Sequence, residues 1–155
     1  MRLKDKIAVV IGSSRGLGLS IARAYKEEGA KVIITYLTRK DEALAIFKEE
    51  KFLDVYDLDI RSRHSLQKFY SEIERKHKKI DILVNNAGTN IRKRPEEYSL
   101  KEWTSIINTN LVSMFICSKA CYEHFIKNKS GKIINIGSMH SLFGAPLGSA
   151  YSASK

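Results

Sequence analysis

The final residues Tyr151-Ser152-Ala153-Ser154-Lys155 set a phenol and an ammonium four positions apart. If Ser149-Ala150-Tyr151 opens a helix, that spacing brings both groups to one face. A free tyrosine has a pKa of about 10, too high for easy proton exchange at neutral pH. A neighbouring ammonium favours the phenolate and draws that value down, at about 1.36 kcal/mol of differential stabilisation per unit. Thirteen residues before Tyr151 stands Ser138, just past the apolar run Ile133, Ile134 and Ile136. Its hydroxyl could hold a carbonyl oxygen while Tyr151 moves a proton to or from it. Tyr-x-x-x-Lys also arises in many helices as an exposed pair, so it counts only in combination.

The second group of residues lies near the N-terminus, in Gly12-Ser13-Ser14-Arg15-Gly16-Leu17-Gly18. A turn from strand into helix presents free backbone N–H groups and the positive helix end to a pyrophosphate. Glycines serve where a Cβ would block the turn or the phosphate. The spacing here is G-x-x-x-G-x-G, which differs from the G-x-G-x-x-G dinucleotide fingerprint and which other strand–helix turns also produce. About 20 residues on, an NAD site carries an acid for the ribose hydroxyls. At that place stand Tyr36, Leu37, Thr38 and Arg39, with no carboxylate to repel a 2′-phosphate. Arg15 and Arg39 either pair with such a phosphate or are two solvated surface arginines. The expected cofactor is NADP rather than NAD, and a bound nicotinamide ring would add its positive charge to that of Lys155 beside the Tyr151 phenol.

These groups need a scaffold, and the chain alternates short apolar runs with amphipathic stretches. Ile7 to Ile11 is continuously apolar, as for a strand buried on both faces of a parallel sheet. Further strands are expected over residues 31–36, 52–58, 80–84 and 132–136. Leu17, Ile21, Ala24 and Tyr25 recur at helical spacing, and Gly29 stands where a helix C-cap belongs. Residues 40–51 and 62–76 read as two more helices. Ser99-Leu100-Lys101-Glu102 is a capping box that starts a long helix running toward Lys127. Five strands alternating with four helices predict an α/β fold, a doubly wound parallel sheet of Rossmann type in three layers. Ligands of such sheets bind at the carboxyl ends of the strands. Ser138, the glycine turn and Asn85-Asn86-Ala87-Gly88, whose small residues admit a flat ring, all fall there.

The chain has 155 residues, enough for one domain with a real core. No stretch is long or apolar enough to span a bilayer, and no membrane partner or secretory signal is expected. Cys117 and Cys121 lie one helical turn apart, and only Cys121-x-x-His124 hints at a ligand pair, so no metal site is expected. They read as reduced, structural thiols of a cytoplasmic protein. The net charge of +10 would suit a nucleic-acid binder, but the basic residues are spread among glutamates without a basic arm or helix. A positive surface that attracts an anionic cofactor accounts for the charge, and no nucleic-acid partner is expected.

Taken together, the motifs resemble those of the short-chain dehydrogenase/reductase family. The resemblance rests on Gly12-x-x-x-Gly16-x-Gly18, Asp59, Asn85-Asn86-Ala87-Gly88, Asn110, Ser138, Tyr151 and Lys155, and covers essentially the whole chain. It implies that Tyr151 is the general acid/base, that Ser138 orients the substrate carbonyl, and that Lys155 binds the nicotinamide ribose and lowers the tyrosine pKa. It also implies that Asn110 holds a water of the proton relay. The cofactor would meet Gly12, Ser14, Arg15, Gly16, Leu17, Gly18, Tyr36, Arg39 and Ile136. Asp59 and Ile60 would lie near adenine, with Asn86, Ala87 and Gly88 along the adenosine ribose. Ile11 departs from the family's usual threonine. The family continues past this point, so the resemblance implies a single dinucleotide-binding domain over residues 1–155, truncated at Lys155. It implies a homodimer or homotetramer for the full-length form.

Arg92-Lys93-Arg94 lies in a segment similar to that of gluconate 5-dehydrogenase and tropinone-reductase-like members, while acyl-carrier-protein reductases share the overall pattern. The run either meets an anionic or polyhydroxylated substrate or forms a solvated basic loop. His140 either lines the pocket or lies on the surface. The activity expected is NADP-dependent hydride transfer on a small carbonyl or secondary alcohol substrate. The alternative is a catalytically inactive, truncated nucleotide-binding module.

Overall fold

The apolar run Ile7–Ile11 forms β1 at the centre of a five-stranded sheet, and all five of its residues are buried. The computed structural model describes residues 1–155. Its other strands are β2 (Lys31–Tyr36), β3 (Asp54–Asp57), β4 (Ile82–Asn85) and β5 (Lys132–Asn135). All pair in parallel, in the order β3-β2-β1-β4-β5. Parallel neighbours need crossovers, and these are the helices α1 (Gly16–Glu27), α2 (Lys40–Glu50), α3 (Arg63–His77) and the long helical segment after β4.

Side chains alternate along each strand, so β1 feeds two cores. Val9 and Ile11 pack with Leu83 and with Phe69, Tyr70 and Ile73 of α3 on one face. Ala8 and Val10 pack with Val32, Ile34, Val84 and with Leu19 and Ala22 of α1 on the other. This is the three-layer, doubly wound sheet expected from the alternation. The strand order reverses between β1 and β4, which opens a crevice above their carboxyl ends.

Three elements differ from the sequence pattern. β3 covers only four residues, because Phe52 is buried ahead of the ladder while Leu53 bonds Val32 singly. The long helix starts at the Ser99 capping box as expected, but consists of α4 (Leu100–Ile107), a π-helical turn (Asn108–Val112) and α5 (Ser113–Asn128). A short helix, α6 (His140–Phe143), follows β5 without a counterpart in the sequence pattern, whereas α7 (Ser149–Ser154) opens at Ser149, where the Tyr151–Lys155 spacing asks for a helix. β5 itself has all four residues exposed, unlike the other strands of the sheet. No helix is long and apolar enough to cross a membrane.

Candidate functional site

The glycine turn is built by space and by three side-chain latches. Gly12 adopts φ +69 and Gly16 φ +55, both left-handed. A Cβ on Gly18 would run into the Gly12 carbonyl oxygen and lie 2.5 Å from Asn86 Nδ2. Asn86 Nδ2 donates to the Gly12 and Ile11 carbonyls at 2.9 and 3.2 Å, tying the end of β4 to the turn. Thr35 Oγ1 accepts the Gly12 N–H at 2.9 Å, and Ser13 Oγ accepts the Thr35 N–H at 3.0 Å while donating to Val10. Helix α1 has no side-chain cap, and the N–H groups of Gly16, Leu17 and Gly18 have no acceptor in the chain. Free donors at a helix start, in a cradle that a Cβ would fill, fit a pyrophosphate.

Above this turn lies a cleft of about 490 Å³. Gly12, Ser14, Arg15, Gly16, Leu17, Gly18, Tyr36, Arg39, Ile60, Asn86, Ala87 and Gly88 all line it. Three arginines face it and no carboxylate does. Arg39 is paired with Glu42 at 2.9 Å, whereas Arg15 forms no ion pair with any other residue. The third arginine, Arg61, has no special motif in the sequence. It enters because Asp59 turns its carboxylate onto Arg61 Nε and Nη2, both at 2.9 Å, and away from the cleft wall. That guanidinium holds the Asp59 carboxyl below its usual range.

Ile136, Tyr151 and Lys155 line a second cavity of about 450 Å³, which shares Leu17, Asn86, Gly88 and Thr89 with the first. Helix α7 carries Tyr151, and the Lys155 N–H donates to the Tyr151 carbonyl at 3.1 Å. Lys155 is half-buried, and this burial pushes its ammonium below the usual lysine pKa. Ser138 does not reach this wall. Its Oγ accepts the His140 N–H at 3.2 Å, while Gly137 and His140 on either side do line the cavity. The His140 ring meets the Tyr151 ring edge-on, with centroids 5.8 Å apart.

Asn110 lies beneath this group, fully buried in the π-helical turn. Its Oδ1 accepts the Thr89 N–H at 2.8 Å, and its Nδ2 donates to the Thr89 carbonyl at 2.8 Å and to Ser154 Oγ at 2.9 Å. Ser154 Oγ in turn donates to the Tyr151 carbonyl at 2.9 Å. Both amide protons are therefore used within the protein, and the second lone pair of Oδ1 is what the side chain keeps for a further partner. It clamps the loop after β4 to α7. Ser154 was not singled out by the sequence. Its only mark there is a place inside the Tyr-x-x-x-Lys spacing.

The two cysteines are free and buried under α3. Burial pushes both thiols up to about 12. No group of three or more His, Cys, Asp or Glu side chains is placed to hold a metal ion.

Comparison with known proteins fits this geometry. Residues 6–155 match the family model described as short chain dehydrogenase. An uncharacterized oxidoreductase of Thermotoga maritima is 36% identical over 159 residues, which cover 99% of this chain and 61% of that protein. The 2-dehydro-3-deoxy-D-gluconate 5-dehydrogenase of Bacillus subtilis is 36% identical over 155 residues, with 99% and 61% covered. The crystal structure of gox2181 superimposes with a TM-score of 0.92 at 29% identity, covering 99% of this chain and 62% of its own. The chain thus spans about three-fifths of the length of the curated relatives it matches.

Proposed function

The chain belongs to the short chain dehydrogenase family of oxidoreductases, which bind nicotinamide cofactors, and on that premise we propose an NADP-dependent reductase of small carbonyl compounds that runs in reverse on secondary alcohols. The observation that carries this reading is the shared wall between the glycine-turn cleft and the cavity of Tyr151 and Lys155. A cofactor laid along that wall would supply or take up the hydride. The free N–H groups of Gly16 to Gly18 would hold its pyrophosphate, and Arg15 and Arg39 its 2′-phosphate. Lys155 would bind the ribose and keep a positive charge beside the phenol. Tyr151 would give its proton to the carbonyl oxygen, and Ser138, whose hydroxyl lies just off this wall with its proton free of any acceptor in the chain, would have to turn in beside Gly137 to donate a second hydrogen bond to the same oxygen. The carbonyl carbon gains the hydride and its oxygen the proton, which leaves a secondary alcohol and oxidised cofactor.

Two features support a wider setting for this reading. Free buried thiols suit a cytoplasmic location. Exposed Phe115, Tyr122 and Ile126 on α5 suit a homodimer or homotetramer. The direct test is oxidation of NADPH and NADH with a panel of ketones, alongside Tyr151→Phe. The expected result is turnover that prefers NADPH and falls about 10²- to 10⁴-fold in kcat in the variant, with NADPH still bound by fluorescence titration. NADPH bound but never oxidised would instead mark a nucleotide-binding module.

A further inference from the structure

The cavity of Tyr151 and Lys155 does not end at His140. A further cavity of about 290 Å³ lies beyond it, and the two share Asn90 and His140 on their walls. Arg92 lines this outer cavity, with Ala145, Pro146 and Gly148 opposite. Lys155 in the inner cavity and Arg92 in the outer one are the fixed charges of the pair, and no aspartate or glutamate faces either.

Arg92 also differs from its neighbour Lys93. Lys93 is bound to Glu102 at 2.5 Å, whereas Arg92 takes part in no ion pair within the chain. Its backbone is nevertheless held. The Lys93 N–H donates to the Leu147 carbonyl at 3.1 Å, which pins the strip carrying Arg92 against the loop across the cavity. Leu147 adopts φ +58, a left-handed conformation in which a leucine is strained and which this contact helps to hold. A guanidinium left unpaired on an anchored backbone, on the wall of a cavity without acids, is arranged for a planar anion.

We propose that the substrate is a keto acid, with its carbonyl at Tyr151 and its carboxylate on Arg92, the chain between them passing His140 and Asn90. This rests on the oxidoreductase reading above and adds to it the class of substrate. Asn90 offers an amide and His140 a ring N–H along the way, so polar groups between carbonyl and carboxylate would find partners too.

The test compares levulinate and its two next longer homologues with their primary amides, which differ only in the charge. With NADPH, at least one acid is expected to exceed its own amide about tenfold in kcat/KM, equivalent to about 1.4 kcal/mol. Arg92→Gln should bring that ratio close to one, chiefly through a higher KM for the acid, and Arg92→Lys should recover part of it. Equal kcat/KM within every pair, or an acid preference that survives Arg92→Gln, would overturn the proposal and leave a solvated basic loop. A second readout is independent of turnover. Saturation-transfer NMR with NADP present should show the acid, but not the amide, bound to the wild type, with the difference gone in Arg92→Gln. If no compound is reduced at all, the oxidoreductase reading fails, while the NMR result still decides whether Arg92 holds a carboxylate.

Discussion

The two ends of the site are assembled by different physics. Around the glycine turn, β1 is buried along its whole length, and the turn is shaped by the absence of side chains at Gly12 and Gly18. At the chemical end, β5 is exposed throughout and α7 is only six residues long. Beside the buried Ala150, Tyr151 is tied there by hydrogen bonds running from Thr89 through Asn110 to Ser154. The buried side-chain polar atoms that lack a partner, Ser149 Oγ and Ser152 Oγ, both belong to α7. Packing and close approach set the glycine turn, which side-chain latches then tie down, while α7 adds to the buried Ala150 a chain of polar contacts in which each member depends on the next. Apolar packing spreads its energy over many atoms. A polar relay concentrates it in single residues, and loss of one member orphans the others.

Asn110→Ala should therefore have the largest structural effect. It empties a fully buried position and strips partners from both backbone groups of Thr89 and from the Ser154 hydroxyl. A loss of about 3 kcal/mol is expected, read as a lower denaturant midpoint, along with a drop in kcat as α7 loosens. NADPH affinity should fall less than kcat, because the glycine turn is latched by Asn86 and Thr35 rather than by Asn110. If affinity and kcat fell together, the two regions would be one cooperative unit and the contrast would be broken.

Gly18→Ala tests the other side and should cost about 1–3 kcal/mol as the new methyl group pushes the Gly12 carbonyl and Asn86 apart. Its signature should be the reverse: NADPH titration weakens markedly, while kcat at saturating cofactor stays near the wild-type value. Gly16→Ala meets no atom within 4 Å and is strained only through its φ of +55, so it separates backbone strain from collision.

How much of this was legible in the residues follows the same division. The buried run Ile7–Ile11, the glycine turn and the Ser99–Glu102 capping box are local patterns, and each lies where the sequence places it. The π-helical turn at Asn108–Val112 is not a local pattern. It holds Asn110, whose partners Thr89 and Ser154 lie 21 and 44 positions away. Arg61 was hidden for a related reason, since it reaches the cleft only because its neighbour Asp59 takes hold of it. Thr35 looked like one more strand residue, and its role as acceptor for Gly12 needs the register of β1 on β2. Ser138 shows the converse. Its motif was plain, yet the loop after β5 places its hydroxyl under the His140 N–H rather than on the cavity wall.

The smallest effect concerns the contact between the start of α4 and the segment that carries Arg92. Glu102 closes the cap of α4 by accepting from the Ser99 N–H at 3.0 Å, and it binds Lys93 beside Arg92. The Lys93 ammonium and the Ser99 donors pull its carboxyl from the ordinary 4.5 down to about 2. A carboxylate depressed in this way stabilises the fold above its unfolded pKa, and that contribution fades as pH falls through the folded value. Glu102→Gln should accordingly lower Tm at pH 7, with the gap to wild type narrowing as pH drops from about 4.5 toward about 2. Trp103, the single tryptophan, stacks edge-on with Tyr98 at 6.1 Å and reports the local unfolding by fluorescence. Because the pair is only partly buried, salt should shrink the same gap at neutral pH. A gap that ignores both pH and salt would assign Glu102 to helix capping alone and detach it from the strip that carries Arg92.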